Sequence, residues 1–487
     1  MKESLSSSRY ISQESISPLG KGIILFLGIV ICLAFVFMGA PYIGFLLAMI
    51  IGTAALLKAQ PIWFVAWWVA TSNLFIIKLD VPALSGIPEV YYSQVLLGII
   101  ILSWIIRKAI VQDQNDHENL VWHYSVTRTL MVWLAICFIS SLWSLFDLHR
   151  NFFDVAYAYF SLIILACSYL IIAFTSTSYY KLKIILYAWL FADIVQRIVD
   201  TFLIIQNYGF KFSYGHLDPV ILHNDKGWFA AAGFGGGGIS LVLAAATIIK
   251  GRKQRMVAIG LTFFYLLTGL MRGSRSGLIS GIVIIIFVLF FRRRFVFLFI
   301  FILVFLAGAA LFEQQFIYNY NLNQPLSQAI GTRMALWTDS LSVIQEHPIM
   351  GAGIGSYDAF KKATIVSGRK TYSGGKYYFE SSSAHNPLFQ MAAESGIPSM
   401  IIFVVFLGLS AWQSWRLYRS SNISLFRILG LGCLIWIGSG VILGFGGDMI
   451  LVYSGQVRFR WAITIAEFYI FLGLIMAAKT IQQQKIK

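Results

Sequence analysis

Charge is what this sequence is shortest of: 12% of its 487 residues are Asp, Glu, Lys or Arg, while 58% are hydrophobic. A soluble domain carries roughly a quarter of its residues as charges, so this chain cannot coat itself with a water-facing surface. Cysteine is nearly absent. The four present, Cys32, Cys137, Cys167 and Cys433, lie inside apolar runs with neither disulfide nor metal spacing, and read as small buried hydrophobes. Also missing are a tandem repeat, a soluble cytoplasmic domain, and a small-residue cleavage site behind the apolar run from Ile23 to Met38. That run reads as a first span, not as a removed signal.

Apolar sequence is abundant, in runs approaching the roughly 20 residues that cross a bilayer. They fall near 21–40, 42–57, 61–77, 91–106, 129–146, 154–174, 182–205, 228–249, 256–270, 277–291, 295–312, 397–415, 425–445 and 459–478. The chain is therefore expected to be an all-α polytopic membrane protein with about twelve to fourteen transmembrane helices. A large, partly helical extracytoplasmic loop is expected over 313–396, between membrane segments 21–312 and 397–478. Short cytoplasmic tails, 1–20 and 479–487, flank them.

The net charge of +16 does not indicate nucleic acid, because the basic residues follow the membrane. Alternate loops collect Lys58, Arg107, Lys108, Arg128, Lys181, Lys183, the cluster from Lys250 to Arg255, Arg292 to Arg294, Arg416 and Arg419. This places both termini inside. The polar loop 112–119 is expected on that inner side, with no chemistry. Outer basic residues, which the topology signal does not explain, include Lys226, Arg272, Arg275, Arg333, Arg458 and Arg460. A substrate with negative charge at the outer face is their simplest common cause.

Within the loop, Thr332 is expected to cap a helix marked by Met334, Trp337, Leu341 and Ile344 and ended by His347-Pro348. Arg333 would then sit in its first turn beside free backbone amides, sharing an anion with them; an exposed loop arginine is the plain alternative. The run Gly351-Ala-Gly-Ile-Gly-Ser356 has no strand before it and no βαβ unit around it, so tight turns fit better than a nucleotide loop.

Asn386 is a good N-cap and Pro387 a good first helical residue, with Gly396 and Pro398 closing the helix. His385 is thus presented just before a helix N-terminus, whose field favours a bound anion and a neutral imidazole able to take a proton from a hydroxyl. A lone loop histidine with a structural role is the alternative. Arg275 lies at the outer end of a hairpin in Met271-Arg-Gly-Ser-Arg-Ser-Gly277, where its fork suits phosphate oxygens; Arg272 fits a snorkelling interfacial arginine better. Asp193, Arg197 and Asp200 share one face of a span, and either neutralise one another or mark a functional site. Glu467, seven residues after Arg460, is equally open, and Lys226 with His223 fits a polar loop or a cavity wall.

The order of Ser274-Arg275, Arg333 with Trp337, His347-Pro348-Ile-Met-Gly351-Ala-Gly353, His385-Asn386 and Glu394-Ser-Gly396-Ile-Pro398 resembles the O-antigen ligase family. The likeness spans about Leu261 to Val405, a region that surface-polysaccharide polymerases share. The resemblance implies a glycosyltransferase at the outer face of the bacterial inner membrane. It would move a glycan from an undecaprenyl diphosphate carrier to a hydroxyl, on lipid A core for a ligase or on another carrier-linked unit for a polymerase. It further implies that Arg275 and Arg333 hold the diphosphate and His385 assists the acceptor, with no cofactor, nucleotide sugar or obligatory metal. Lys226, Arg272, Asn386, Arg458 and Arg460 are expected as supporting residues. A transporter or lipid-glycan flippase is the competing class; the Asp193, Arg197 and Asp200 set is its one hint.

Overall fold

The computed structural model describes residues 61–74, 78–79, 90–111, 116–208, 236–271, 275–291, 293, 326–356, 371–373, 376–377, 384, 386–444 and 462–484. These carry thirteen helices. In chain order they are α1 (Pro61–Leu74), α2 (Tyr92–Val111), α3 (Asp116–His123), α4 (Ser125–Phe146), α5 (Phe152–Thr175), α6 (Tyr179–Tyr208) and α7 (Gly236–Ile248). There follow α8 (Arg252–Met271), α9 (Arg275–Phe291), α10 (Leu326–Glu346), α11 (Pro387–Ser420), α12 (Ser424–Gly444) and α13 (Ala462–Gln484). Two minimal antiparallel pairs, Lys78–Leu79 with Val90–Tyr91 and Thr371–Ser373 with Lys376–Tyr377, complete the described elements.

Each apolar run expected between residues 61 and 291, and after 397, meets a helix; the runs at 21–40, 42–57 and 295–312 lie outside the described residues. Four helices are long and apolar enough to cross a membrane: Ser125–Phe146, Phe152–Thr175, Pro387–Ser420 and Ser424–Val441. Large apolar side chains face outward, with Phe146 76%, Phe202 63% and Phe263 67% exposed, while Asp193, Arg197 and Glu467 are buried. That inversion of the soluble pattern suits lipid as the surrounding solvent. The chain is a multi-pass, all-α membrane protein.

Small residues let the helices close. On α12, Gly430 and Gly432 point to opposite sides, because two residues along a helix turn it by about 200°. A Cβ at Gly430 would come within 2.6 Å of the Ser414 carbonyl on α11, and one at Gly432 within 3.0 Å of Leu241 Cα on α7. The helix α12 is thereby clamped between α11 and α7. Aromatic rings fill the wider gaps: Trp133 of α4 lies 5.3 Å from Phe403 of α11, and Phe406 lies 6.2 Å from Tyr469 of α13.

One element departs from expectation. The polar stretch 112–119 was expected as a loop, but Asp116–His123 is helical. Val121 and Tyr124, three residues apart, are both buried, and this pair draws the segment onto the bundle. The Tyr124 hydroxyl donates to Gln483 Oε1 at 2.8 Å, fixing this turn to the end of α13.

Candidate active site

The described residues of the stretch 313–396 meet a broken helix. Within α11, Gly396 has φ 83° and ψ 163°, and Pro398 has no N–H to donate to the carbonyl four residues back. The hydrogen bonds lost there are taken over by the turn that follows α10. Ala352 N–H donates to the Ala393 carbonyl at 2.8 Å, Gly353 N–H to the Glu394 carbonyl at 2.8 Å, and Ile397 N–H to the Pro348 carbonyl at 2.9 Å. From α4, the Ser140 hydroxyl reaches the Met350 carbonyl at 2.7 Å and the Glu394 carbonyl at 3.2 Å. Irregular backbone among apolar helices persists only when satisfied in this way.

The glycine run has the tight-turn role expected of it. Gly351, Gly353 and Gly355 have φ of 69°, 95° and 71°, in the left-handed region. A Cβ at Gly353 would collide with Ser144 Oγ, and one at Gly396 with the Ile349 carbonyl. Substituting Gly396 by alanine is expected to destabilise the protein by about 1–3 kcal/mol from backbone conformation alone, with the collision adding to it. Thermal unfolding of the detergent-solubilised protein measures this; an unchanged midpoint would mean that the kink is not under this constraint.

Glu394 carries a role that no sequence signal announced. It is fully buried. Its Oε2 accepts from Gly355 N–H at 3.0 Å and its Oε1 from Gln390 Nε2 at 3.3 Å. The carboxylate latches the glycine run onto the first half of α11. The sequence marks Glu394 only as the first residue of the family-like piece ending at Pro398, which does not distinguish such a latch from a catalytic group.

Asn386 caps α11 as expected. Its Oδ1 accepts from Leu388 N–H at 3.0 Å and Phe389 N–H at 3.3 Å, and its carbonyl from Gln390 N–H at 3.0 Å. With proline at 387, the first-turn amides from 388 to 390 all have protein partners. The expected field of the helix end remains, but these amides are not free to coordinate a phosphate. An anion at this end needs side-chain cations.

A correction concerns Arg333. The helix α10 starts at Leu326, so Thr332 is not its cap and Arg333 lies about two turns inside it, away from free amides. Its inward stripe is Leu336, Ser340 and Val343, while Met334 and Leu341 of the expected stripe are exposed. Trp337 lies 5.7 Å from Phe389, ring to ring, tying α10 to the start of α11.

Arg275, by contrast, is the first residue of α9. Phe291 at the other end of α9 packs 5.9 Å from Trp415, near the end of α11. The start of α9 therefore lies at the same end of the bundle as the start of α11, so Arg275 and Asn386 share that end. The side chains of Arg275 and Arg333 lie outside the described residues, as do His385, Lys226, Arg272, Arg458 and Arg460.

The intramembrane charges form a cluster of their own. Arg197 Nε lies 3.4 Å from Asp193 Oδ2, the Tyr265 hydroxyl donates to the same oxygen, and the guanidinium sits 4.3 Å from the centre of the Tyr265 ring. Gly238 of α7 makes room, since a Cβ there would strike Tyr265 and Asp193. Glu467 of α13 is close enough to interact electrostatically with both Asp193 and Arg197. The Asp200 side chain lies outside the described residues.

Fold and site together define a polytopic membrane protein in which a glycine-rich turn is docked on the kink of α11. Residues 257–404, from the second turn of α8 past the kink of α11, match the O-antigen ligase family model. The match falls on the region where the sequence resembles that family, and it points to a ligase- or polymerase-type, glycosyltransferase-like function. No curated protein matches the chain.

Proposed function

We propose that the protein transfers a glycan from an undecaprenyl diphosphate carrier to an acceptor hydroxyl, as an O-antigen ligase, at the extracytoplasmic face of the bacterial inner membrane. The observation that carries this reading is the match over residues 257–404 to a family of that function, coinciding with a helix start at Arg275 and a capped helix directly after His385. The orientation draws support from the far ends of the helices. Arg128, Lys181, Lys183, the 250–255 cluster, Arg416 and Arg419 flank the bundle end opposite the kinked turn, as cytoplasmic residues do.

In this reading Arg275 and Arg333 hold the diphosphate. The field of the α9 N-terminus adds to Arg275 what the interior position of Arg333 denies it. The acceptor oxygen bonds to the anomeric carbon, the carrier diphosphate leaves with the electrons of the broken bond, and His385 takes the hydroxyl proton. Cations placed beforehand at the departing diphosphate stabilise charge as it develops.

The buried Asp193 and Arg197 weigh against the transporter reading, because they bind each other and Tyr265 instead of lining an open path. A polymerase of the same family remains the second reading, since the matched region is common to both activities. Deleting the gene and examining the envelope glycans separates them. Loss of a ligase leaves long carrier-linked polymer and a bare lipid A core, and loss of a polymerase leaves single repeat units. Unaltered envelope glycans would overturn both.

A further inference from the structure

The link between α4 and α5 holds a cation that no motif marks. Its five residues, Asp147 to Asn151, curl back over the end of α4, where Arg150 N–H donates to the Ser144 carbonyl at 3.2 Å. His149 takes the left-handed conformation, φ 49°, and Asn151 Oδ1 then caps α5 by accepting from Phe153 N–H at 2.8 Å. Leu148 packs against the cluster of Val343, Ala352 and Ala393, so the link rests directly on the glycine turn and the first half of α11.

Around that contact three polar groups have no hydrogen-bond partner among the described residues. They are Arg150 Nε, Ser144 Oγ and Ser356 Oγ, each shielded from solvent. Ser144 and Ser356 are 0% and 1% exposed, while the Arg150 side chain as a whole is half-buried. The two serines flank Gly353, Ser144 Oγ lying against it and Ser356 N–H donating to its carbonyl at 3.1 Å, and the backbone N–H of Arg150 ties that residue to Ser144. The nearby acid Glu394 accepts from Gly355 N–H through one oxygen and from Gln390 Nε2 through the other.

Buried polar groups without partners are uncommon in folded proteins, and these three can all donate. Their shared need is a ligand rich in acceptors. A guanidinium meets such a ligand best when it is a planar or tetrahedral oxyanion, and two hydroxyls extend that preference. We propose that Arg150, with the hydroxyls of Ser144 and Ser356, forms an oxyanion subsite of the substrate, distinct from Arg275 and Arg333. This rests on the glycan-transfer reading for the nature of the substrate, which offers two sources of the same chemistry: the carrier diphosphate, or an acidic group on the glycan or acceptor.

The test uses the purified full-length protein in detergent, with inorganic pyrophosphate and sodium glucuronate as binding probes that do not depend on turnover. The subsite predicts that Arg150→Ala weakens binding of one probe about tenfold or more, that Arg150→Lys recovers part of the loss, and that a Ser144→Ala/Ser356→Ala variant loses less than Arg150→Ala. Loss confined to pyrophosphate assigns the subsite to the carrier, and loss confined to glucuronate assigns it to the sugar. Where transfer is measurable, KM for the substrate that carries the oxyanion rises while kcat changes little. Should Arg150→Ala fail to fold, Arg150→Gln and the double serine variant read the same two affinities. Affinities equal to wild type for both probes, or no binding of either probe to the wild type, overturn the subsite. Wild-type binding lost in Arg150→Ala without any glycan transfer upholds the subsite and overturns the transfer reading instead.

Discussion

His385→Ala is expected to lower glycan transfer by about a hundredfold to ten-thousandfold, the range that a positioned general base contributes. The residue immediately precedes the N-cap of α11, and the cap fixes what it has to work with. Since Asn386 Oδ1 and its carbonyl occupy the amides from 388 to 390, the helix end offers a field and no free donors. A positive field at a helix start disfavours a neighbouring cation, which suits the neutral base that this prediction requires. The same field favours the departing anion only if arginines hold it nearby. The substitution should therefore leave donor binding within a few-fold of wild type while the chemical step collapses; Arg275→Ala should weaken donor binding and lower turnover together.

Single-turnover transfer with purified protein, alongside donor binding, separates the two effects. Full activity in His385→Ala would remove this histidine from the reaction. Equal loss of binding in both variants would instead make His385 part of the diphosphate clamp. The helix cap should be untouched by either change, since Asn386 makes its contacts without His385.

The reach of the sequence differs between fold and site for a physical reason. Long apolar runs are set by bilayer thickness, so α4, α5 and α12 could be placed from hydropathy to within a few residues. The capped start of α11 was equally legible, because Asn before Pro is a local signal that needs no tertiary context. Helix α10 was misplaced at its start. Leu326 follows no strong capping residue, while Thr332 offers a local cap that the tertiary fold does not use. Glu394 and Arg150 were invisible as site residues for the opposite reason. The carboxylate latch depends on a glycine run 39 residues away, and the unpartnered Nε of Arg150 sits in a link that packs against residues from beyond 340. Only packing brings those partners together. The family region from 257 to 404 was recognisable because its signals are ordered along the chain, although none is specific alone.

Arg197→Met is expected to destabilise the protein by about 3–5 kcal/mol, the usual consequence of removing one partner of a buried ion pair. The guanidinium is 4% exposed and lies between Asp193 and the Tyr265 ring, with Glu467 facing the same cluster. Without it, two acids from different helices confront one another in an apolar surround, and the Tyr265 hydroxyl alone remains to Asp193. Neutralising either acid should then restore part of the loss. Glu467→Gln is the cleaner suppressor, since Glu467 Oε2 has no hydrogen-bond partner among the described residues to lose. In the wild-type background the same change should be nearly silent, so the two substitutions are expected to be strongly non-additive. Thermal unfolding of the four proteins in detergent measures the coupling. A structural lock joining α6, α8 and α13 gives a large loss in Arg197→Met and recovery in the double variant, with transfer tracking the folded fraction. A normal unfolding midpoint in Arg197→Met with transfer abolished would move the cluster from the scaffold into the reaction, and the proton that two acids and one guanidinium must share would become the next group to follow.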